Sequence, residues 1–119
     1  GREKEKNMPF IDCRITKKLT EEKKEQLKAE LGRAIPLLHK SETYLMVGIA
    51  DGYDLWMGGA KISGAYVGVS LFGRESRPDC EKMTAAICDI LSRVADVPGE
   101  GVYVTYRGVE NWGWNGGLF

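Results

Sequence analysis

Apolar and polar side chains alternate over residues 10–15. Ile11, Cys13 and Ile15 fall on one side and Asp12 and Arg14 on the other, a period of two that predicts a strand. Thr20 then stands as an N-cap, ahead of Glu21 and Glu22, whose charges suit the positive end of a helix dipole. Leu27, Leu31, Ala34, Ile35 and Leu38 recur at helical spacing, with Pro36 expected to kink or end the helix in its last turn. A β-rich run over residues 44–50 leads to the turn signal Asp51-Gly52, and Gly58-Gly59 marks another turn before a long strand over residues 64–72. Pro78 suits the first turn of a second helix, whose stripe is Met83, Ile87, Ile90, Leu91 and Val94. Pro98 and Gly99 stop it, and residues 102–106 read as the last long strand before an aromatic, glycine-rich tail.

The order is strand, helix, strand, twice over, so each half can close a right-handed parallel crossover. The expected fold is α+β: a duplicated β-α-β with two helices on one face of a four-stranded sheet. The halves have similar lengths and the same element order, although their sequences barely match, which hints at internal duplication. Val47, Ile49, Val67 and Val69 are expected on the uncovered face, where an apolar patch would favour oligomerisation. Pattern alone does not separate this fold from a ferredoxin-like βαββαβ module.

Composition narrows the function. The 119 residues suffice for one domain with one core, and 43% of them are hydrophobic, a globular value. A formal net charge of zero gives no electrostatic reason to bind nucleic acid or an anionic membrane. No apolar run is long enough to span a bilayer, and residues 1–7 lack the apolar stretch of a secretory signal, so a cytoplasmic protein is expected, with non-classical secretion left open. Three cysteines, Cys13, Cys80 and Cys88, lack CxxC spacing and read as reduced, partly buried thiols. The single histidine, His39, cannot build a metal site alone, and neither metal nor cofactor is expected.

Local matches go further. Met8-Pro9-Phe10-Ile11 resembles the start of the macrophage migration inhibitory factor family of the tautomerase superfamily, whose mature chains begin at the proline. Lys40 followed by Tyr44-Leu45-Met46-Val47 looks like that family's lysine and second strand, and Gly58-Gly59 like its double glycine. Val102-Tyr103-Val104-Thr105-Tyr106 resembles the strand carrying its active-site tyrosine, and Asn111-Trp112-Gly113-Trp114-Asn115 with Phe119 its C-terminal segment. Each match is weak alone; their common register over residues 8–119 is specific. The resemblance implies a homotrimer whose sheets form a central barrel, with an active site at each subunit junction.

It also implies chemistry. A free N-terminal proline is a secondary amine, and α-amino groups start near pKa ~7.7–8.0. An apolar pocket and a nearby cation lower that value, leaving a general base poised near neutrality for proton abstraction beside a carbonyl. Pro9 would be that base and acid, and Lys40 would pair with the substrate carboxylate and stabilise the enolate. The backbone N–H of Phe72 and Tyr103 of a neighbouring subunit would add hydrogen bonds. Phe10, Tyr44, Trp112 and Phe119 would line an aromatic slot suited to phenylpyruvate-like acids.

Departures modify the picture. Thr105 stands where prominent members carry a substrate-binding asparagine, Phe72 replaces a smaller aliphatic residue, and Trp112 is bulkier than usual. Gly64-Ala65-Tyr66-Val67 occupies the place of a CxxC, so no thiol–disulfide activity is expected. Plain structural roles stand beside these: Pro9 opening an edge strand, Lys40 as a helix-end cation, Tyr44 and Tyr103 as sheet residues, and Trp112, Trp114 and Phe119 as packing.

In the chain as written, the Pro9 nitrogen is a tertiary amide bonded to Met8 and has no basicity. Residues 1–8 are therefore expected to be an extension outside the mature protein, with residues 9–119 as the tautomerase-like domain. Three functions remain: a tautomerase of aromatic 2-oxo acids, a catalytically silent cytokine-like protein engaging a receptor, and an unrelated interaction module.

Overall fold

Residues 8–119 are described by the computed structural model; residues 1–7, the bulk of the expected extension, lie outside the described residues. Strand β1 (Pro9–Ile15) buries Ile11, Cys13 and Ile15 completely, as its alternation predicts. Helix α1 (Glu21–Ala34) starts where Thr20 Oγ1 accepts from the Lys23 N–H at 3.1 Å, satisfying one of the unpaired amides of the first turn. Pro36 cannot donate to the ladder, so the chain tightens into a 3₁₀ turn (Ile35–Leu38) that ends at left-handed His39.

The second strand is shorter than its β-rich run suggests. A 3₁₀ turn (Glu42–Tyr44), capped by Ser41 Oγ, takes up Tyr44, and β2 is Met46–Ala50. A small hairpin of β3 (Trp56–Met57) and β4 (Ala60–Lys61) turns through Gly58 and Gly59, both at positive φ. This is the geometry a two-residue hairpin loop requires and the reason for glycine at both positions.

Strand β5 (Ala65–Phe72) follows, then helix α2 (Arg77–Ala95), with Ser76 as its N-cap and Pro78 in its first turn. Asp96 adopts the left-handed conformation past the last turn, and Val97, fully buried, returns its N–H to the Leu91 carbonyl at 3.2 Å. Strand β6 runs over Val102–Val109, three residues beyond the expected end. A last hairpin, β7 (Gly113–Trp114) and β8 (Gly117–Leu118), turns at Asn115-Gly116.

The sheet order is β2-β1-β5-β6, with β1 parallel to β2, β5 parallel to β6, and the two halves meeting antiparallel at β1 and β5. Both helices cover one face, so the α+β duplicated β-α-β fold is as expected. The faces are assigned differently from the sequence reading. Val67 and Val69 are buried against the helices, and Val47 and Ile49, paired with Ile11 and Cys13, pack on the same core. The open face instead carries Phe10, Asp12, Arg14, Tyr66, Gly68, Ser70 and Thr105, all on the opposite parity. The valines were misassigned because these strands, buried against the helices at every second position, have small residues such as Gly48 and Gly68 between, so no charged residue marks the other face.

Candidate active site

Pro9 begins β1 and pairs in register with Leu71. It opens into a cleft of ≈ 500 Å³ whose walls include Met8, Phe10, Tyr44, Arg107, Trp112 and Trp114. Met8 is only 3% exposed, so the residue that acylates the proline nitrogen also fills part of the space beside it. Phe10, Tyr44 and Trp112 are brought together along one wall of this cleft.

That slot is held by a chain of rings. Tyr44 meets Trp114 edge-on at 5.8 Å between centroids, Trp114 stacks on Phe119 at 6.1 Å, and Phe119 lies 6.3 Å from Phe72. Such contacts contribute about 0.5–1.5 kcal/mol each beyond burial. The Phe119 N–H donates to the Trp112 carbonyl at 3.1 Å and fixes the final hairpin over the cleft. Phe72 and Phe119 therefore support the wall without being part of the cleft lining. Trp114, read from the sequence as packing, lines the cleft directly.

Lys40 lies at the same end of the sheet. Its Nζ donates to the Phe72 carbonyl at 3.4 Å, one residue beyond the register partner of Pro9, and sits 3.5 Å from Glu75 Oε1. The two side chains are 8% and 9% exposed, a nearly desolvated ion pair. Lys40 is neither a solvated helix-end cation nor part of the cleft lining: it is turned inward and paired with Glu75. Glu75 was not anticipated: it falls in the connection between β5 and α2, where no periodicity ties an acid to a lysine far earlier in the chain.

Tyr103 and Thr105 lie elsewhere within one subunit. Tyr103 pairs with Tyr66, which pairs with Arg14, so it belongs to the far end of the sheet, ~17 Å along β1 from Pro9. It is 64% exposed and borders a depression with Trp56 and Ile62. Thr105 shares a 2.7 Å hydrogen bond with the Tyr66 hydroxyl in a second cleft of ≈ 560 Å³ on the open face. Arg14 in that cleft is engaged by Asp12 and by the Tyr53 hydroxyl, both at 3.2 Å. Arg107 borders both clefts and was missed because the last strand was expected to end one residue before it. The alternation Tyr103, Thr105, Arg107 was the available signal.

A proline-headed strand opening on an aromatic cleft, in a duplicated β-α-β sheet, defines a fold of the tautomerase superfamily. Solved structures narrow this to the macrophage migration inhibitory factor family, whose fold the chain has. It is similar to Leishmania major MIF2, with a TM-score of 0.89 and 28% identity, covering 95% of this chain and 98% of that one. The macrophage migration inhibitory factor-like protein of Entamoeba histolytica gives 0.86 at 19% identity, covering 95% and 100%. The Toxoplasma gondii macrophage migration inhibitory factor gives 0.86 at 21%, covering 92% and 99%. No family model matches the sequence. No curated protein matches it either. Among the described residues, no helix is long and apolar enough to cross a membrane.

Proposed function

We propose that the domain over residues 9–119 is a keto–enol tautomerase of aromatic 2-oxo acids such as phenylpyruvate, acting once Pro9 is freed from residues 1–8. The observation that carries this is Pro9 at the head of β1, opening on a cleft walled by Phe10, Tyr44, Trp112 and Trp114. A free Pro9 amine would remove a proton from the carbon beside the keto group and return it to the oxygen or carbon of the enolate. The apolar wall disfavours the protonated amine, as does the Lys40 ammonium, although Glu75 offsets part of the latter. A structure sharing the fold, Pt0534 inactivated by 2-oxo-3-pentynoate, holds a protein that reacts with a 2-oxo acid, which supports the substrate class.

The working unit in this reading is a homotrimer with the sheets forming a central barrel, in which Tyr103 of a neighbouring subunit completes the site. Phe72 and Phe119 back its aromatic wall, and Thr105 would be a further substrate contact. The test is phenylpyruvate tautomerisation by the 119-residue chain and by a chain beginning at Pro9, with the free terminus confirmed by mass. Turnover only in the second, lowered ~100-fold or more by Pro9→Gly, is the expected result. Equal turnover in both chains would rule out the proline amine as the base.

One observation favours a second reading. Met8 is buried beside Pro9 and blocks its nitrogen, as in a catalytically silent relative that binds a protein receptor. Absence of turnover in either chain, with the oligomer intact, would favour it.

A further inference from the structure

Two large rings stand in water at the far end of the sheet. Tyr103 is 64% exposed and Trp56 60%, and both border one depression of ≈ 230 Å³. Trp56 begins the β3–β4 hairpin opposite Lys61, and the Ile62 N–H donates to the Leu55 carbonyl at 3.1 Å to close the hairpin's base. Lys61 Nζ lies 5.7 Å from the centre of the Trp56 ring, which leaves most of that ring uncovered. Two such groups side by side form an apolar patch suited to a partner.

The Pro9 cleft has the complementary defect. Met46, the first residue of edge strand β2, lines the cleft and is itself 68% exposed, so the cleft's lip on that edge is apolar and uncovered. Trp56 cannot close it within one subunit. The depression and the cleft have no residue in common, and Tyr103 lies at the opposite end of β6 from Arg107, which borders the cleft. A second copy can close it. An arrangement that brings Tyr103 of one subunit to the cleft of the next carries Trp56 along, because the two rings line the same depression.

We propose that Trp56 of a neighbouring subunit closes the Met46 side of the Pro9 cleft and packs against the aryl group of the substrate. Aromatic acids are then selected by a wall that no single subunit possesses. This rests on the reading of the cleft as the substrate site and of the working unit as a homotrimer. Tyr103 brings a hydroxyl to the polar end of the ligand, and Trp56 adds ring area at its apolar end.

The test crosslinks the full 119-residue chain. Cys80→Ser and Cys88→Ser are introduced first, which leaves only the buried thiol of Cys13. Chains carrying Met46→Cys and chains carrying Trp56→Cys are co-expressed and treated with a short bis-maleimide. A covalent dimer is expected from the mixture and from neither variant alone, since a closed ring sets one surface against a different one. Both positions are exposed, so neither substitution should disturb the fold of a subunit. In parallel, the unreactive aryl acid 3-phenylpropionate is titrated calorimetrically, and Trp56→Leu should bind it ~10-fold more weakly than wild type. No crosslink in the mixture, or equal affinity in an intact Trp56→Leu oligomer, would overturn the proposal. If Trp56→Leu loosens the oligomer, the crosslink decides. Crosslinking without phenylpyruvate turnover in the Pro9-initiated chain would sink the enzymatic reading alone.

Discussion

Cys13 shows how far a single residue's chemistry is set by burial. It is fully enclosed between sheet and helices, and burial pushes its thiol up to about 12 from an ordinary 9.0, with Asp12 adding to the effect. Between pH 9 and 12 the unfolded chain releases this proton while the folded chain keeps it. The unfolded state then binds fewer protons, so stability falls as pH rises through that window, by at most about 1.4 kcal/mol per pH unit. Urea unfolding at pH 8.5 and pH 11 should therefore show a smaller loss in Cys13→Ala than in wild type. An equal loss in both would mean that the thiol ionises in the folded state. The same burial argument separates Lys40 from Arg107: one cation is turned into a pair with Glu75, the other stays at the surface of the cleft.

At the level of elements, helix ends and strand starts carry the local precision. Thr20 supplies the cap of α1, and Thr20→Ala should cost about 1 kcal/mol. The starts of β5 and β6 pass closer together than side chains permit. A Cβ on Gly64 would run into the Gly101 carbonyl oxygen, and one on Gly101 into the Ser63 carbonyl oxygen. Gly64→Ala must push backbone apart at the base of the β5–β6 ladder, and is expected to cost more than Thr20→Ala. Thermal unfolding of the two variants side by side checks the order, and a milder effect at Gly64 would show that the strands can separate there without loss. The Gly64 backbone is tied in addition to Thr16 Oγ1 at 3.0 Å, so the strain would pass to the end of β1 as well.

For the whole molecule, strands β2 and β6, each paired on one side only, are the two edges of the sheet. Near them Met46, Trp56 and Tyr103 are 68%, 60% and 64% exposed, large apolar groups that a monomer would leave in water. The open face between the edges is polar, so the case for assembly rests on edges and exposed aromatics and not on an apolar sheet face. We expect sedimentation equilibrium to return three times the 13.2 kDa chain mass. Trp56→Asp should shift it toward monomer. A monomeric wild type would remove the neighbouring Tyr103 from the proposed site.

Periodicity of two and of 3.6 settled the long elements and the core of this protein, because Ile11, Leu31, Met83 and Ile87 must leave water whatever their neighbours are. Local turn chemistry settled Gly58-Gly59, Thr20 and Pro36 for the same reason: each acts within a few residues of itself. The aromatic wall around Pro9 was legible through the family resemblance, which fixes register along the whole chain. Tertiary structure alone decided which face the valines occupy, since strands covered at alternate positions and filled with glycine between carry little polar contrast. It alone joined Lys40 to Glu75 and brought Arg107 into line with Phe10, because charge pairing and cross-strand rows depend on register between segments distant in sequence.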